Sequence, residues 1–203
     1  VTGVQTCALP IYVGAQVLDL EGLASHRSSV LGLIPGQPQP SQKKFDTLIW
    51  DALGRFEPTR PVFVEAESRK VGNVSIAESL MLAMRASPCV RVDTPIELRV
   101  ELLMQDYPFF VNDIDFFCTR LQTLKDLRGK EVVDAWCQAA RAGHVKDVVR
   151  QLLEDHYDPG YANSTHRNYA QFNQALAVTV EDISLTALKT VAQRLMSLVA
   201  QLK

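Results

Sequence analysis

Two segments of the chain place acidic and basic side chains directly after a short apolar run. Residues 61–72 read PVFVEAESRKVG, and residues 17–29 read VLDLEGLASHRSS. An apolar run of this length is typical of a buried parallel strand, and open α/β sheets bind ligands beyond the carboxyl ends of such strands. Together the two segments predict one site, at a shared edge of a sheet, that handles phosphate or a metal ion.

Glu65 and Glu67 are the predicted catalytic pair. They flank Ala66, so on a continuing strand both side chains would project from one face. One of them would steer a nucleophile or hold Mg²⁺ through water, and Glu65 is the predicted metal ligand because it comes first off the strand. The competing interpretation is a strand end that simply turns polar where it reaches solvent.

Asp19 is the second predicted metal ligand. Glu21 follows it after one apolar residue, in the same spacing as Glu65 and Glu67. A structural role is equally consistent with the sequence, because an aspartate at this position can cap a turn formed by residues 22–25. The pattern alone leaves both roles open.

Six polar or basic side chains in the two loops are predicted to bind phosphate. A guanidinium can bind phosphate through two hydrogen bonds, and cations after a strand could meet a diphosphate or an RNA backbone. For the first loop, the alternative is an ordinary solvated loop. The six residues are His26, Arg27, Ser29, Ser68, Arg69 and Lys70.

Hydrophobic periodicity predicts an α/β fold in which a parallel sheet is flanked by helices. Residues 13–111 form part of the core, residues 112–170 form an all-helical insertion, and residues 171–203 return to the core with a final strand and helix. YDPGY at residues 157–161 predicts a helix stop and a turn. The predicted strands are 16–20, 62–65, 89–92 and 175–180, and the predicted helices of the core are 42–53, 73–86, 94–107 and 184–202.

Composition is that of an ordinary soluble globular protein. The chain has 203 residues, of which 47% are hydrophobic and 22% charged, with a net charge of -2. An RNA partner would therefore need a local basic patch rather than a general basic field. Apolar runs are too short to span a bilayer, and the cysteines form no CxxC pair, so we expect a cytoplasmic protein without disulfides.

The same two segments, together with GQPQPSQ at residues 36–42, resemble the carboxyl-terminal, P-loop half of bacterial tRNA 2-selenouridine synthases. The resemblance runs from about Val13 to about Tyr161. It implies that tRNA is a partner, and that selenium from selenophosphate replaces sulfur in a wobble 2-thiouridine. It further implies a geranylated intermediate made from geranyl diphosphate, with Mg²⁺ assisting at the diphosphate. The family usually has glycine where this chain has Ser28, so a left-handed backbone there would be strained.

The phosphate-binding signature GxxxxGK[ST] does not occur in the sequence. The resemblance implies that it belongs just before residue 16, where residues 1–11, VTGVQTCALPI, resemble a translated sequencing adapter. A signal peptide and a natural edge strand are the alternatives. We therefore expect residues 1–12 to be an artefact. The expectation is an inactive, poorly stable fragment lacking the first strand, the phosphate loop and an amino-terminal rhodanese-like domain.

Two other functions remain open from the sequence. The chain could be a small-molecule kinase of the P-loop type, with the helical insertion acting as a lid. It could also be a non-catalytic RNA-binding module, in which a tyrosine of the YDPGY segment stacks on a base.

Overall fold

The computed structural model describes residues 8–200, which form an α/β architecture with parallel strands and flanking helices. The described residues divide into two compact units. The α/β unit comprises residues up to Thr94 and from Asn163 onward, and the helical unit comprises Pro95–Ala162. The predicted limits of the insertion, 112 and 170, therefore differ from those of the helical unit. Most of the predicted artefact, residues 1–7, lies outside the described residues.

Six short strands lie in the α/β unit. They are β1 (Gln16–Leu18), β2 (Val62–Val64), β3 (Lys70–Val71), β4 (Val74–Ser75), β5 (Val90–Asp93) and β6 (Leu176–Thr179).

Twelve α-helices are described, and a π-helix at Leu152–Tyr157 leads directly into the eleventh. In chain order they are α1 (Ala8–Ile11), α2 (Leu20–Ala24), α3 (Gln42–Leu53), α4 (Glu78–Ala86), α5 (Ile96–Asp106), α6 (Pro108–Asn112), α7 (Ile114–Leu121), α8 (Lys125–Arg128), α9 (Lys130–Arg141), α10 (Val145–Gln151), α11 (Asp158–Asn168) and α12 (Leu185–Val199). Among these helices, none is long and apolar enough to cross a membrane.

The four predicted parallel strands are present, but they form two separate ladders. β1 pairs with β2, ending at the pair Leu18↔Val64, and β5 pairs with β6. Within residues 8–200 no further strand hydrogen-bonds to either ladder, so the predicted parallel strands are present as two pairs. Side chains bridge the ladders instead, because Phe63 packs on a cluster that contains Val92 and Val178.

A hairpin that the sequence analysis missed follows β2. β3 and β4 are antiparallel and turn at Gly72, whose φ is +61°. The Gln39 side chain holds this turn, donating to the carbonyl of Val71 at 3.0 Å and accepting from the amide of Asn73 at 2.8 Å. The hairpin occupies the start of the predicted helix 73–86, so α4 begins only at Glu78.

Helix α3 forms where it was predicted, with Ser41 as its N-cap. The Ser41 hydroxyl accepts from the amide of Lys44 at 3.3 Å, which satisfies one of the amides at the start of the helix. Phe45 and Ile49 lie on its buried face, one turn apart. They pack in a core with the hairpin residues Val71 and Val74.

The helical unit contradicts one sequence expectation. Residues 157–161 do not form a turn, because the π-helix continues into α11. Pro159 is the second residue of α11, and the chain stays helical through it although a proline cannot donate a backbone hydrogen bond to the preceding turn. Within this unit Asp158 accepts from Arg99 at 2.9 Å, an ion pair that joins the start of α11 to α5.

We expect Phe45→Ala to lower the free energy of unfolding by about 3–5 kcal/mol, because it leaves a cavity in a closely packed core. Phe45 is completely buried, whereas Trp50 on the same helix is 74% exposed. Trp50→Ala is therefore the matched control, with an expected change within about 0.5 kcal/mol. Urea unfolding of both variants checks this, and equal losses would contradict the orientation of α3.

Candidate functional site

The carboxyl ends of β1 and β2 bring two predicted site residues together. The ladder ends at the pair Leu18↔Val64, so Asp19 and Glu65 follow on adjacent strands. Their side chains share a hydrogen bond. The amide of Leu20 donates to Oε2 of Glu65 at 3.1 Å, which ties the end of β2 to the start of α2. The predicted meeting of the two segments at one sheet edge is confirmed.

Glu65 and Glu67 both turn inward, although the strand does not continue as expected. β2 ends at Val64, and the amide of Glu67 donates to the carbonyl of Glu65 at 2.7 Å, which closes a tight turn. Glu65 is 7% exposed and Glu67 is 9% exposed, whereas Ala66 between them is exposed. The competing interpretation, a strand end that turns polar in solvent, is therefore wrong.

Asp19 has the structural role that the sequence left open. Its carboxylate accepts from the amide of Gly22 at 2.7 Å and caps α2. A side chain at Gly22 would be unacceptable, because a Cβ there would lie 2.3 Å from Oδ2 of Asp19. The cap does not exclude a role in the site, since the same carboxyl group contacts Glu65.

Glu21 completes a group of four carboxyl groups, Asp19, Glu21, Glu65 and Glu67, which we call the acid cluster. Burial raises the pKa of Glu21 to about 9, and repulsion from Glu67, Glu65 and Asp19 adds to the effect. The charge of Arg27 opposes this rise. The sequence showed that Glu21 follows Asp19 at strand spacing, but it gave no sign that the pKa of Glu21 is so strongly raised.

Glu65 and Glu67 are also shifted toward the protonated form. Burial raises the pKa of Glu65 to about 8, against the opposing effect of the Leu20 amide. Burial also raises the pKa of Glu67, and the polar neighbours Ser28, Ser68 and Glu21 oppose this rise. At neutral pH, Glu21 and Glu65 therefore hold protons that they can donate.

Tyr169 supports the acid cluster from a distant part of the chain. Its hydroxyl donates to the carbonyl of Glu67 at 3.0 Å. The ring is buried, and burial raises the pKa of the hydroxyl to about 12, so it remains a donor. No local pattern around Tyr169 could have predicted this contact.

The loop after α2 is closed by its own backbone. The amide of Arg27 donates to the carbonyl of Gly32 at 2.9 Å, and the hydroxyl of Ser29 accepts from the amide of Leu31 at 3.1 Å. Ser28 has a φ of 47°, so the strain anticipated for a serine at this position is present. His26 is buried at 8% exposure, so its ring packs inside the loop instead of extending into solvent.

Three further predicted phosphate-binding residues follow the acid cluster along the chain. Ser68, Arg69 and Lys70 are all exposed, and the Ser68 hydroxyl donates to the carbonyl of Lys70 at 2.8 Å. In the part of the chain that is described, neither Arg69 nor Lys70 forms an ion pair, so both cations are free to meet an anion.

The donor set at the sheet edge consists of oxygen atoms, which suit a hard cation such as Mg²⁺. Asp19 and Glu65 are adjacent, and a cation between them would relieve their mutual repulsion. Across the described residues, no group of three or more potential ligand side chains converges on one point. A cation held by Asp19 and Glu65 would therefore need further oxygen ligands from a phosphate or water.

Residues 2–123 match a family model described as the tRNA 2-selenouridine synthase AAA domain. This segment contains the acid cluster and both loops. It begins at residue 2, so it includes most of the residues that the sequence analysis set aside as adapter-derived. Comparison with the solved structures found no match.

Curated relatives carry the same family name. A tRNA 2-selenouridine synthase from Hahella chejuensis is 32% identical over 173 residues, which are 71% of this chain and 45% of that protein. One from Cupriavidus pinatubonensis is 31% identical over 182 residues, 76% of this chain and 50% of its own length. One from Marinobacter nauticus is 28% identical over 173 residues, which are 71% of this chain and 47% of that protein. The chain thus spans about half the length of these relatives.

The raised pKa values predict that stability falls as pH rises. In the unfolded chain the pKa of Glu65 and that of Glu21 return to the ordinary value of 4.5. In the folded protein the pKa of Glu65 is about 8 and that of Glu21 is about 9. Folding therefore takes up protons between pH 5 and pH 9, at up to about 1.4 kcal/mol per pH unit for each proton. Stability is greatest below this window and is lost through it.

Urea unfolding at pH 6, 7.5 and 9 measures this slope. Glu65→Gln and Glu21→Gln should each flatten it, because a glutamine has no proton to lose, and in Glu65→Gln the new side-chain carbonyl can still accept from Leu20. Glu181→Gln, an exposed acid in the same unit, is the matched control and should leave the slope unchanged. A wild-type stability that is constant or rises across this window would show that the acid cluster is ionised.

Proposed function

Because the chain belongs to the tRNA 2-selenouridine synthase family, we propose that its α/β unit is part of an enzyme that replaces sulfur by selenium in the wobble 2-thiouridine of tRNA. The observation that carries this proposal is the acid cluster. It lies inside the segment that matches the family, and it consists of four carboxyl groups held at one sheet edge. Selenophosphate is the proposed selenium donor, and the proposed compartment is the cytoplasm.

A diphosphate is the proposed small-molecule partner, supplied by geranyl diphosphate as a co-substrate. The exposed cations Arg69 and Lys70 would bind its oxygen atoms, assisted by Ser68 and by the loop residues His26, Arg27 and Ser29. Asp19 and Glu65 would hold Mg²⁺, which supplies charge neutralisation at a diphosphate leaving group when it is bound. These assignments rest on the family and on the position of the side chains around one edge.

Proton transfer is the proposed role of the acid cluster itself. Ser28, the Ser68 amide and Glu21 favour the ionised form of Glu67, although burial raises its pKa. Glu65, with a pKa of about 8, retains a proton at neutral pH in the absence of a cation. We therefore assign these two neighbouring carboxyl groups to proton exchange with a bound substrate.

Other domains would be needed for the complete reaction. The chain spans about half of its relatives, so we propose that an amino-terminal rhodanese-like domain in the same protein carries selenium. Membership of this family does not favour the two alternatives, a small-molecule kinase and a non-catalytic RNA-binding module.

A chimera tests the proposed function directly. Residues 13–200 would replace the homologous half of the Hahella chejuensis relative, and the product would be assayed for selenium incorporation into 2-thiouridine-containing tRNA. Glu65→Gln should reduce incorporation at limiting Mg²⁺ far more than it weakens tRNA binding, because it removes the charge proposed to hold the cation. Glu181→Gln is the control. Full activity of Glu65→Gln at limiting Mg²⁺ would rule out the metal role.

Arg69→Ala should have the complementary effect in the same chimera. It should weaken binding of tRNA or diphosphate, and it should lower the slope of log affinity against log salt by about 0.7–0.9, because one phosphate contact is lost. Arg194→Ala removes an exposed cation from α12 of the same unit and should change neither quantity. An unchanged slope for Arg69→Ala would remove it from the phosphate-binding set.

A further inference from the structure

A long-range hydrogen bond holds each of the two buried glutamates of the acid cluster. The carboxyl group of Glu65 accepts from the amide of Leu20 at 3.1 Å. Glu67 is held through its main chain instead, because its carbonyl accepts from the Tyr169 hydroxyl at 3.0 Å. These two residues are 102 positions apart in the sequence, so the contact exists only in the folded protein.

The main chain of Glu67 is bonded through both of its polar groups. Its amide donates to the carbonyl of Glu65 at 2.7 Å, which closes the turn, and its carbonyl accepts from Tyr169. With both groups bonded, the peptide units on either side of Glu67 have little freedom to rotate. The direction in which the Glu67 side chain leaves the main chain is therefore fixed. That direction is inward, since the residue is only 9% exposed.

Tyr169 is held in place by the core of the α/β unit. It is 7% exposed, and it belongs to the cluster of buried residues that contains Leu18, Leu20 and Phe45. Leu18 and Leu20 are the sequence neighbours of Asp19, so the tyrosine and the acid cluster are supported by the same part of the chain. A hydroxyl carried on a ring packed in this way can restrain the group that it contacts.

The residues after Tyr169 attach the chain to the end of α4. The amide of Ala170 donates to the carbonyl of Arg85 at 3.3 Å. The side chain of Gln171 donates to the carbonyl of Ala86 at 2.6 Å. Although Tyr169 lies outside regular secondary structure, its main chain is therefore fixed next to a helix while its ring is fixed in the core.

We infer that Tyr169 is a positioning residue, whose hydroxyl holds the turn at Glu65 and Glu67 so that the Glu67 carboxyl group stays in the acid cluster. It acts through the main chain of Glu67 and not on a substrate. A phenylalanine would fill the same space in the core, so the hydroxyl is the part of the side chain that serves the site. This inference rests on the proposed function for the role of Glu67 in proton transfer.

Hydrogen exchange in the intact chain tests the positioning without requiring any activity. Tyr169→Phe should speed exchange of the Glu67 amide about 2- to 13-fold, the increase in local opening that follows from the loss of one hydrogen bond. The Leu20 amide at the same sheet edge should change in the same direction. The amide of Lys44, bonded to the N-cap of α3, is the internal reference and should not change.

The chimera with the Hahella chejuensis relative measures the effect on the reaction. Tyr169→Phe should lower kcat for selenium incorporation about 10- to 100-fold, because a small displacement of a catalytic group has an effect of this size. KM for tRNA should stay within about 2-fold, since the hydroxyl does not bind substrate. Gln171→Ala is the matched control, because it also removes a side-chain hydrogen bond to a main-chain carbonyl but leaves the turn intact. It should change neither kcat nor the exchange of the Glu67 amide.

A double-mutant cycle with Glu67→Gln separates positioning from a general loss of stability. If Tyr169 acts through Glu67, Tyr169→Phe should cause no further fall in kcat once Glu67→Gln is present. A purely structural hydroxyl predicts the same factor of loss in both backgrounds. Urea unfolding of each variant establishes that the protein is folded under the conditions of the assay.

Three results would overturn this inference. They are unchanged exchange of the Glu67 amide in Tyr169→Phe, a wild-type kcat in that variant, and an equal loss of kcat with and without Glu67→Gln. A wild-type chimera that incorporates no selenium would instead remove the proposed function. In that case the exchange experiment still decides whether Tyr169 holds the turn, because it needs no activity.

Discussion

The in-register parallel pairing of β1 with β2 determines the candidate site. The pair Leu18↔Val64 ends the ladder, so the next residues of both strands are acids that lie side by side. The period of a strand is two residues, and a shift by one residue would exchange the faces of every side chain in β2. The positions of Glu65 and Glu67, and the bond from Leu20 to Glu65, all depend on this register.

Gathering four carboxyl groups at one sheet edge, with Glu65 and Glu67 buried, requires compensation. Part of it comes from protonation, because Glu21 and Glu65, with pKa values of about 9 and about 8, are uncharged at neutral pH. Part comes from the hydrogen bond that the Leu20 amide donates to Glu65, and part from Ser28 and Ser68, which lie beside Glu67 and oppose the rise of its pKa. The left-handed conformation of Ser28 is a local strain close to Glu67, and such strain is common at functional sites.

Helix α3 holds the hairpin that follows the site along the chain. Its buried face fixes its position over β1 and the hairpin, and its first turn is attached to the hairpin through Gln42 and, just before the helix, Gln39. Helix α3 therefore holds in place the hairpin that carries Lys70, just after the turn at Glu67.

The sequence by itself determined the elements whose pattern is local. Apolar runs predicted the four parallel strands within one or two residues, and Ser41 marked the start of α3, because burial and capping leave their signature at neighbouring positions. The meeting of Asp19 with Glu65 also followed from the sequence, since parallel strands end at a common edge.

Only the tertiary structure decided which distant segments meet. The contact of Tyr169 with Glu67 and the burial of Glu67 depend on packing between parts of the chain that carry no common pattern. The hairpin has strands of only two residues, too short for a period to show, and its turn depends on Gln39. The separation into two ladders could not be seen from strand patterns either. Those patterns report that a strand is buried and do not identify its neighbours.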